Sequence, residues 1–113
     1  MNCSRSRMHW RAFLLVLCLI GLSAPVWAQG EGATLFKSKC AACHGADGTG
    51  NTPVAKAMHI PDLTSAAVQK LSDAELTAAI TNGKGSMPAY KDKLSADQIK
   101  GTVGYIRELA KKK

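Results

Sequence analysis

Two cysteines and a histidine stand within five residues of one another in this chain. The segment Cys40-Ala41-Ala42-Cys43-His44 matches C-x-x-C-H, the pattern for attachment of c-type haem. Thiols three residues apart on a helical turn share one face, so both can bond the vinyl groups of one porphyrin edge. The adjacent His44 then brings an imidazole nitrogen to the iron. The motif predicts one covalently bound haem c, with Cys40 and Cys43 as thioether positions and His44 as the proximal ligand.

A methionine in a glycine-rich loop is the best candidate for the second iron ligand. Met87 is followed by Pro88, so the backbone can approach a flat ligand at the glycines and is then fixed by the proline ring. A thioether is a soft donor that suits iron(II), and His/Met ligation raises the potential. Two alternatives stay open: Met58 as a competing thioether or a packing residue, and His59 as a second imidazole. We predict Met87 as the distal ligand.

The same residues admit other chemistries. A thiol–disulfide enzyme would use Cys40 and Cys43, but it needs a βαβ pattern and leaves His44 unexplained. A zinc site would add His59, yet the adjacent Cys43 and His44 cannot easily face one tetrahedral ion. A haem protein with a displaceable Met87 would be a gas sensor or weak peroxidase. Since no acid–base or nucleophile–base pair stands out, we predict an electron carrier and not an enzyme.

Helical patterns dominate the elements that must position these residues. A first helix is predicted over 31–39, leading into the cysteines. Capping boxes at Ser72 and Ser95 open two more helices, and the last one has a continuous apolar face. Residues 45–61 and 84–94 are predicted as loops, and loops of this length usually have a function. No alternating strand pattern appears, so the predicted fold class is all-α.

The first 28 residues have the composition of a secretory signal peptide. Three arginines precede an uncharged apolar run over 12–22, and small Ala28 offers a cleavage site. The run is about half the ~20 residues that a spanning helix needs, although a retained anchor is the alternative. We therefore predict that residues 1–28 are removed, that 29–113 form one mature domain, and that the protein is exported to the periplasm or an equivalent lumen.

The mature domain is small, nearly neutral and poor in large apolar residues. Removing the three leader arginines takes the 15 basic residues to 12 against eight acidic ones, so the net charge falls from +7 to +4. Three of those charges are lysines of the C-terminal tail, which leaves no clustered basic face for nucleic acid. A domain with so few core-forming residues usually needs a cofactor, a metal or a disulfide for stability. A disulfide between cysteines three residues apart would close almost no loop and would stabilise the fold little, so a cofactor or metal is the better explanation.

Further residues carry a resemblance to a known family. Gly32, Phe36 and Cys40 follow one another at intervals of four, and with the C-x-x-C-H motif they resemble the N-terminal helix of the class I c-type cytochromes. The resemblance covers nearly the whole mature chain. It implies that the glycine lets the C-terminal helix cross closely, and that Tyr105 is the aromatic answering Phe36 from that helix.

Two loop segments extend the resemblance to the haem environment. Pro61 and Leu63 are similar to the family's Pro-x-Leu segment, whose proline carbonyl accepts a hydrogen bond from the proximal histidine, here His44. Residues 82–90 resemble the family's distal loop, which makes Met87 the sixth ligand. The resemblance implies a cytochrome c-like fold of three to four helices wrapped around one haem, with 29–113 as the cytochrome c domain.

The implied function is electron transfer between redox partners by a soluble monomer, without nucleic acid and with transient docking that can include membrane complexes. A small haem subunit of a larger oxidoreductase complex is the alternative. Tyr90 and Lys56 are conceivable contacts to the haem propionates. A ring of lysines around an exposed haem edge would favour an acidic partner, and scattered solvated lysines are an equal alternative. The lysines concerned are Lys37, Lys39, Lys56, Lys84, Lys91 and Lys93.

Overall fold

A computed structural model describes residues 27–113 of the chain. The predicted signal peptide lies outside the described residues, except for Trp27 and Ala28 at the start of the first helix. Its cleavage and the boundary of the mature domain therefore stay predictions. None of the helices described is long and apolar enough to cross a membrane.

The described part of the chain is helical, as the sequence predicts. Its elements are α1 Trp27–Leu35, a π-helical segment Phe36–Cys40, α2 Ala41–His44, α3 Pro53–Met58, α4 Ala66–Gln69, α5 Asp73–Asn82 and α6 Ala96–Lys111. Residues 27–113 contain no strand, only an isolated bridge between Lys84 and Met87. The first three helical elements are contiguous, so the predicted helix over 31–39 continues through both cysteines to the histidine.

The prediction of a loop over 45–61 is wrong in its second half, where α3 forms. The Thr52 hydroxyl accepts a hydrogen bond from the Ala55 amide at 3.0 Å, and Pro53 occupies the first turn. A proline at that position breaks no hydrogen bond, because its missing N–H would be unpaired anyway. The Thr-Pro pair is therefore a helix start, although a proline in a glycine-rich stretch also reads as a loop signal.

Both predicted capping boxes are confirmed. The Ser72 hydroxyl accepts from the Glu75 amide at 3.2 Å, and the Glu75 carboxylate accepts from the Ser72 amide at 2.7 Å. Ser95 and Gln98 repeat the arrangement at the start of α6, at 3.2 and 2.9 Å. These reciprocal bonds satisfy amides that helix geometry leaves unpaired, so the starts of α5 and α6 were readable from four residues each.

The centre of the core is the crossing of α1 and α6. A Cβ on Gly32 would collide with the backbone carbonyl of Gly101, so the two helices touch backbone to backbone. One turn on, Phe36 is fully buried and its ring centroid lies 5.4 Å from that of Tyr105, at an interplanar angle of 57°. Tilted aromatic pairs at this separation are favourable. The resemblance predicted both contacts, and the structure confirms them.

A side chain of α6 also holds the segment that leads into α5. The Arg107 guanidinium donates to the carbonyl oxygens of Gln69 and Leu71 and to the carboxylate of Asp73. The side-chain amide of Gln69 in turn donates to the Leu63 carbonyl at 2.7 Å. Because arginine presents several donors in one rigid plane, a single side chain fixes three successive points of this segment.

Candidate haem site

The fold brings all five predicted site residues to one cavity of about 460 Å³. Cys40, Cys43 and His44 line it from the end of the first helix, Pro61 from the segment after α3, and Met87 from the loop after α5. The cavity volume falls in the usual range for cofactor sites, ~300–1,000 Å³. The remaining walls include six apolar side chains: Ile60, Leu63, Val68, Leu71, Leu76 and Ala79.

The two cysteines lie where the π-helical segment meets α2. Both are free thiols and half-buried. Burial raises the pKa of the Cys40 thiol to about 11, and the nearby Lys39 only partly offsets this. The Thr52 hydroxyl donates to the Cys43 carbonyl at 2.7 Å while capping α3, so it ties the cysteine-bearing turn to the next helix. The Thr-Pro pair is a signal only for the start of α3, and the contact of Thr52 with Cys43 was not predicted.

His44 ends α2 with one ring nitrogen unsatisfied. Its Nδ1 is buried and has no hydrogen-bond partner among residues 27–113. Burial also lowers the pKa of the imidazole, which favours the neutral form that binds metals. Pro61, the predicted acceptor for this nitrogen, lines the same cavity but receives no hydrogen bond from it in the structure. The second-shell role of Pro61 therefore stays a prediction.

Glycines shape the loop that carries Met87. Lys84 and Met87 exchange two backbone hydrogen bonds, of 3.2 and 3.0 Å, around a two-residue turn in which Gly85 has φ of +58°. Gly83 has φ of +75°, and a Cβ there would lie 2.5 Å from the Met87 carbonyl oxygen. Only glycine accommodates both conditions. Met87 itself is partly buried and packs against the core.

The two alternative ligands line the same cavity but are more exposed. Met58 is 54% exposed, and His59, also exposed, ends α3 in the left-handed conformation with φ of 53°. Met87 is the less exposed thioether, which favours it over Met58. Tyr90 also lines the cavity, whereas Lys56, the other candidate for propionate contacts, does not.

The donor set fits haem c and fits the competing chemistries poorly. Two thiols, a neutral imidazole with an orphaned nitrogen, and a thioether share one mostly apolar cavity. A thiol–disulfide enzyme needs a lowered thiol pKa, but that of Cys40 is raised. A zinc ion needs clustered ligands, and no three His, Cys, Asp or Glu side chains in the described range come together for one.

Comparisons with known proteins agree with this donor set. A family profile described as cytochrome c oxidase, cbb3-type, subunit III matches residues 28–106. A cytochrome c6 of Gloeothece citriformis is 36% identical over 103 residues, covering 88% of this chain and 91% of that protein. A cytochrome c6 of Leptolyngbya boryana is 40% identical over 81 residues, covering 72% and 92%. The solved KustC0563 c-type cytochrome matches with a TM-score of 0.65 and 29% identity, over 69% of this chain and 95% of that one.

Proposed function

This chain belongs to the class I c-type cytochromes, single-haem electron carriers with covalently bound haem c, and on that premise we propose how its residues perform that function. Cys40 and Cys43 form the two thioethers, His44 is the proximal iron ligand and Met87 the distal one. Pro61 orients the His44 ring through its carbonyl. The observation that carries the proposal is the convergence of these five residues on one cavity.

The chain's own residues then favour fast electron transfer. When bound, haem c supplies an iron that accepts and releases one electron. Met87 and His44 would both hold the iron, which would leave no place on it for a substrate; we therefore propose a carrier without enzymatic activity. The apolar walls around Leu63 and Leu76 limit water at the site, and such a shell raises the potential by lowering the local dielectric.

The proposed partners are redox proteins that dock briefly at the cavity mouth. All six lysines considered from the sequence are exposed, and Lys39 and Lys84 line the cavity itself. A positive rim speeds the encounter with an acidic partner at low ionic strength.

We propose that the mature protein acts as a soluble monomer in the periplasm or an equivalent lumen. A haem subunit of a larger complex is the second candidate, favoured by the description of the matching family profile.

The test uses the exported, haem-loaded protein and its variants. Met87→Ala should abolish the weak long-wavelength absorption band of methionine-ligated ferric haem and lower the reduction potential by on the order of 0.1 V, a fraction of the span that axial ligands set. Met58→Ala is the matched control and should change neither. If Met58→Ala and not Met87→Ala removed the band and lowered the potential, Met58 would be the ligand. If neither substitution changed the band or the potential, neither methionine would be the iron ligand.

Covalent attachment and assembly have their own readouts. Intact mass should show one added haem in the wild type, and none retained through thioethers when both Cys40 and Cys43 are alanine. Size-exclusion chromatography of the native periplasmic extract should give the haem absorbance at the monomer volume. Retention of the haem absorbance in the membrane fraction, with elution in a larger assembly after detergent extraction, would instead support the subunit role.

A further inference from the structure

One side-chain hydrogen bond joins the Met87 loop to the helix that carries the cysteines. The Tyr90 hydroxyl donates to the backbone carbonyl oxygen of Lys39 at 3.2 Å, across 51 residues of sequence. Tyr90 follows Met87 by three residues, and Lys39 directly precedes Cys40. Both partners line the haem cavity. The bond therefore connects the two parts of the chain that supply the proposed distal ligand and the attachment motif.

The acceptor belongs to an irregular turn. Lys39 lies in the π-helical segment, where the Ala41 amide bonds to the Phe36 carbonyl five residues back and Cys40 has φ of −113°. A π-helical turn interrupts the regular ladder of helix hydrogen bonds, and such turns recur at functional sites. The interruption includes Cys40, and its Lys39 carbonyl is the group to which Tyr90 donates.

Tyr90 is anchored through its backbone at the C-terminal end of the Met87 loop (residues 83–90). Its amide donates to the Ile80 carbonyl at 3.0 Å, and its carbonyl accepts from the amides of Lys93 and Leu94, both at 2.9 Å. By contrast, residues 84–89 are exposed apart from Met87. The backbone bonds of Tyr90 therefore fix one end of the loop, and its hydroxyl connects that end to the attachment helix, the helical segment that carries Cys40 and Cys43.

We propose that Tyr90 is a positioning residue whose hydroxyl keeps the Met87 loop closed on the attachment helix, and so sets how readily the distal position opens to a small external ligand. The proposal rests on the proposed function in taking Met87 as the distal ligand. Movement of the C-terminal end of this loop away from the helix would break the hydrogen bond from the Tyr90 hydroxyl to the Lys39 carbonyl oxygen. In the open state, the Lys39 carbonyl and the Tyr90 hydroxyl would form hydrogen bonds with water instead of with each other.

Tyr90→Phe tests the hydroxyl alone, because the ring and its packing remain. Ferric, haem-loaded protein is titrated with imidazole, which can bind the iron only after the distal ligand, proposed to be Met87, has dissociated. The variant should bind imidazole about 2- to 12-fold more tightly, the factor that corresponds to one ordinary hydrogen bond. Tyr105→Phe is the matched control, since Tyr105 lies in the core and does not line the haem cavity; it should leave imidazole affinity unchanged.

A second readout does not depend on iron ligation. Amide hydrogen exchange at Lys84 and Met87 should accelerate in Tyr90→Phe by a similar factor, while exchange at core positions such as Ile99 stays unchanged. If imidazole affinity and exchange both stay at wild-type values, the proposal is wrong. An equal rise of imidazole affinity in Tyr90→Phe and Tyr105→Phe would show general loosening and would also overturn it.

These outcomes separate the two proposals. If Met87→Ala leaves the methionine band intact, the assignment of the distal ligand fails; faster exchange in Tyr90→Phe would still support the closure of the loop by the hydroxyl. If Met87→Ala removes the band but Tyr90→Phe changes neither readout, the ligand assignment stands and the role of Tyr90 falls.

Discussion

The helix crossing and the Met87 loop are held in different ways. Next to the crossing of α1 and α6, Phe36, Ile99 and Val103 are at most 2% exposed and belong to one buried apolar cluster. In the loop, the residues around Met87 are exposed, and backbone hydrogen bonds and glycine geometry set the conformation. The loop that carries Met87, the proposed distal ligand, thus has a different kind of stability from the helix crossing.

This difference separates global stability from ligand exchange. Buried apolar packing contributes to every state in which the protein is folded, so damage at the crossing lowers the free energy of unfolding. A loop held by a few exposed hydrogen bonds can open while the core stays intact. Perturbing the loop should therefore change the iron ligation before it changes the melting temperature.

The largest effect is expected at the crossing. Phe36→Ala removes a fully buried ring from its contact with Tyr105 and should destabilise the haem-loaded protein by about 3–5 kcal/mol. Denaturant unfolding followed by far-UV circular dichroism measures the loss. Lys37→Ala, at the exposed neighbouring position, is the control and should change stability by less than ~0.5 kcal/mol. A loss below ~1 kcal/mol for Phe36→Ala would contradict this account of the core.

The next effect should appear in the ligand and not in the melting temperature. Gly83→Ala combines a positive φ with a Cβ 2.5 Å from the Met87 carbonyl oxygen, a local cost of about 3 kcal/mol. We expect the methionine band to weaken strongly. Gly85→Ala is the matched control, because its φ is also positive but its Cβ would meet nothing within 4 Å. Equal weakening in both variants would show that backbone strain alone, without the contact to Met87, explains the effect.

The Arg107 contacts join α6 to the segment that leads into α5, and their loss should be intermediate. Arg107→Ala leaves the carbonyls of Gln69 and Leu71 without their donors and should cost about 2 kcal/mol. Asp73→Asn removes only the exposed end of the network, the carboxylate charge at 76% exposure, and should cost less than ~1 kcal/mol. Thermal unfolding of both variants compares them. If Asp73→Asn costs as much as Arg107→Ala, the ion pair and not the backbone contacts provides the stability.

The smallest effect concerns acid stability. Hydrogen bonds from the Thr64 hydroxyl and the Lys113 ammonium hold the pKa of Asp62 below its usual value. A lowered folded-state pKa gives stability that is present above the unfolded pKa and is lost as the pH falls through the folded value. The melting temperature of the wild type should fall between about pH 6 and about pH 3. In Asp62→Asn this fall should be smaller, because the carboxylate that contributes to it is absent. Asp92→Asn is the exposed control; the same narrowing there would refute the assignment to Asp62.

Some elements were predictable because their signals are local. The attachment motif spans five residues, and each capping box spans four, so the geometry that matters lies within one helical turn. The close approach of Gly32 and the pairing of Phe36 with Tyr105 came from the family resemblance. Gly101, which meets Gly32 at the crossing, was not predicted. A glycine in this helix is not by itself a signal for close contact, because Gly104 is exposed and a Cβ there would meet nothing within 4 Å.

Other features were not predictable for a physical reason. Helix α3 begins at a proline, and the same residue type also ends helices and fills loops, so the sequence signal is ambiguous. The π-helical turn before Cys40 has no propensity signature of its own, because it depends on how the helix packs. The bonds of Arg107 to residues 69–73 and of Tyr90 to Lys39 join positions far apart in sequence.

The sequence by itself determined the chemistry: two thiols and an imidazole on one helical turn, a soft thioether beside a proline, and the starts of the two C-terminal helices. Only the tertiary structure decided that Met87 meets the attachment turn across one cavity and that Tyr90 and Arg107 hold the cavity's outer segments in place. The reason is that backbone geometry relates neighbours within a few residues, whereas contacts between distant residues form only when the packing of the core overcomes the entropy of closing the loops between them.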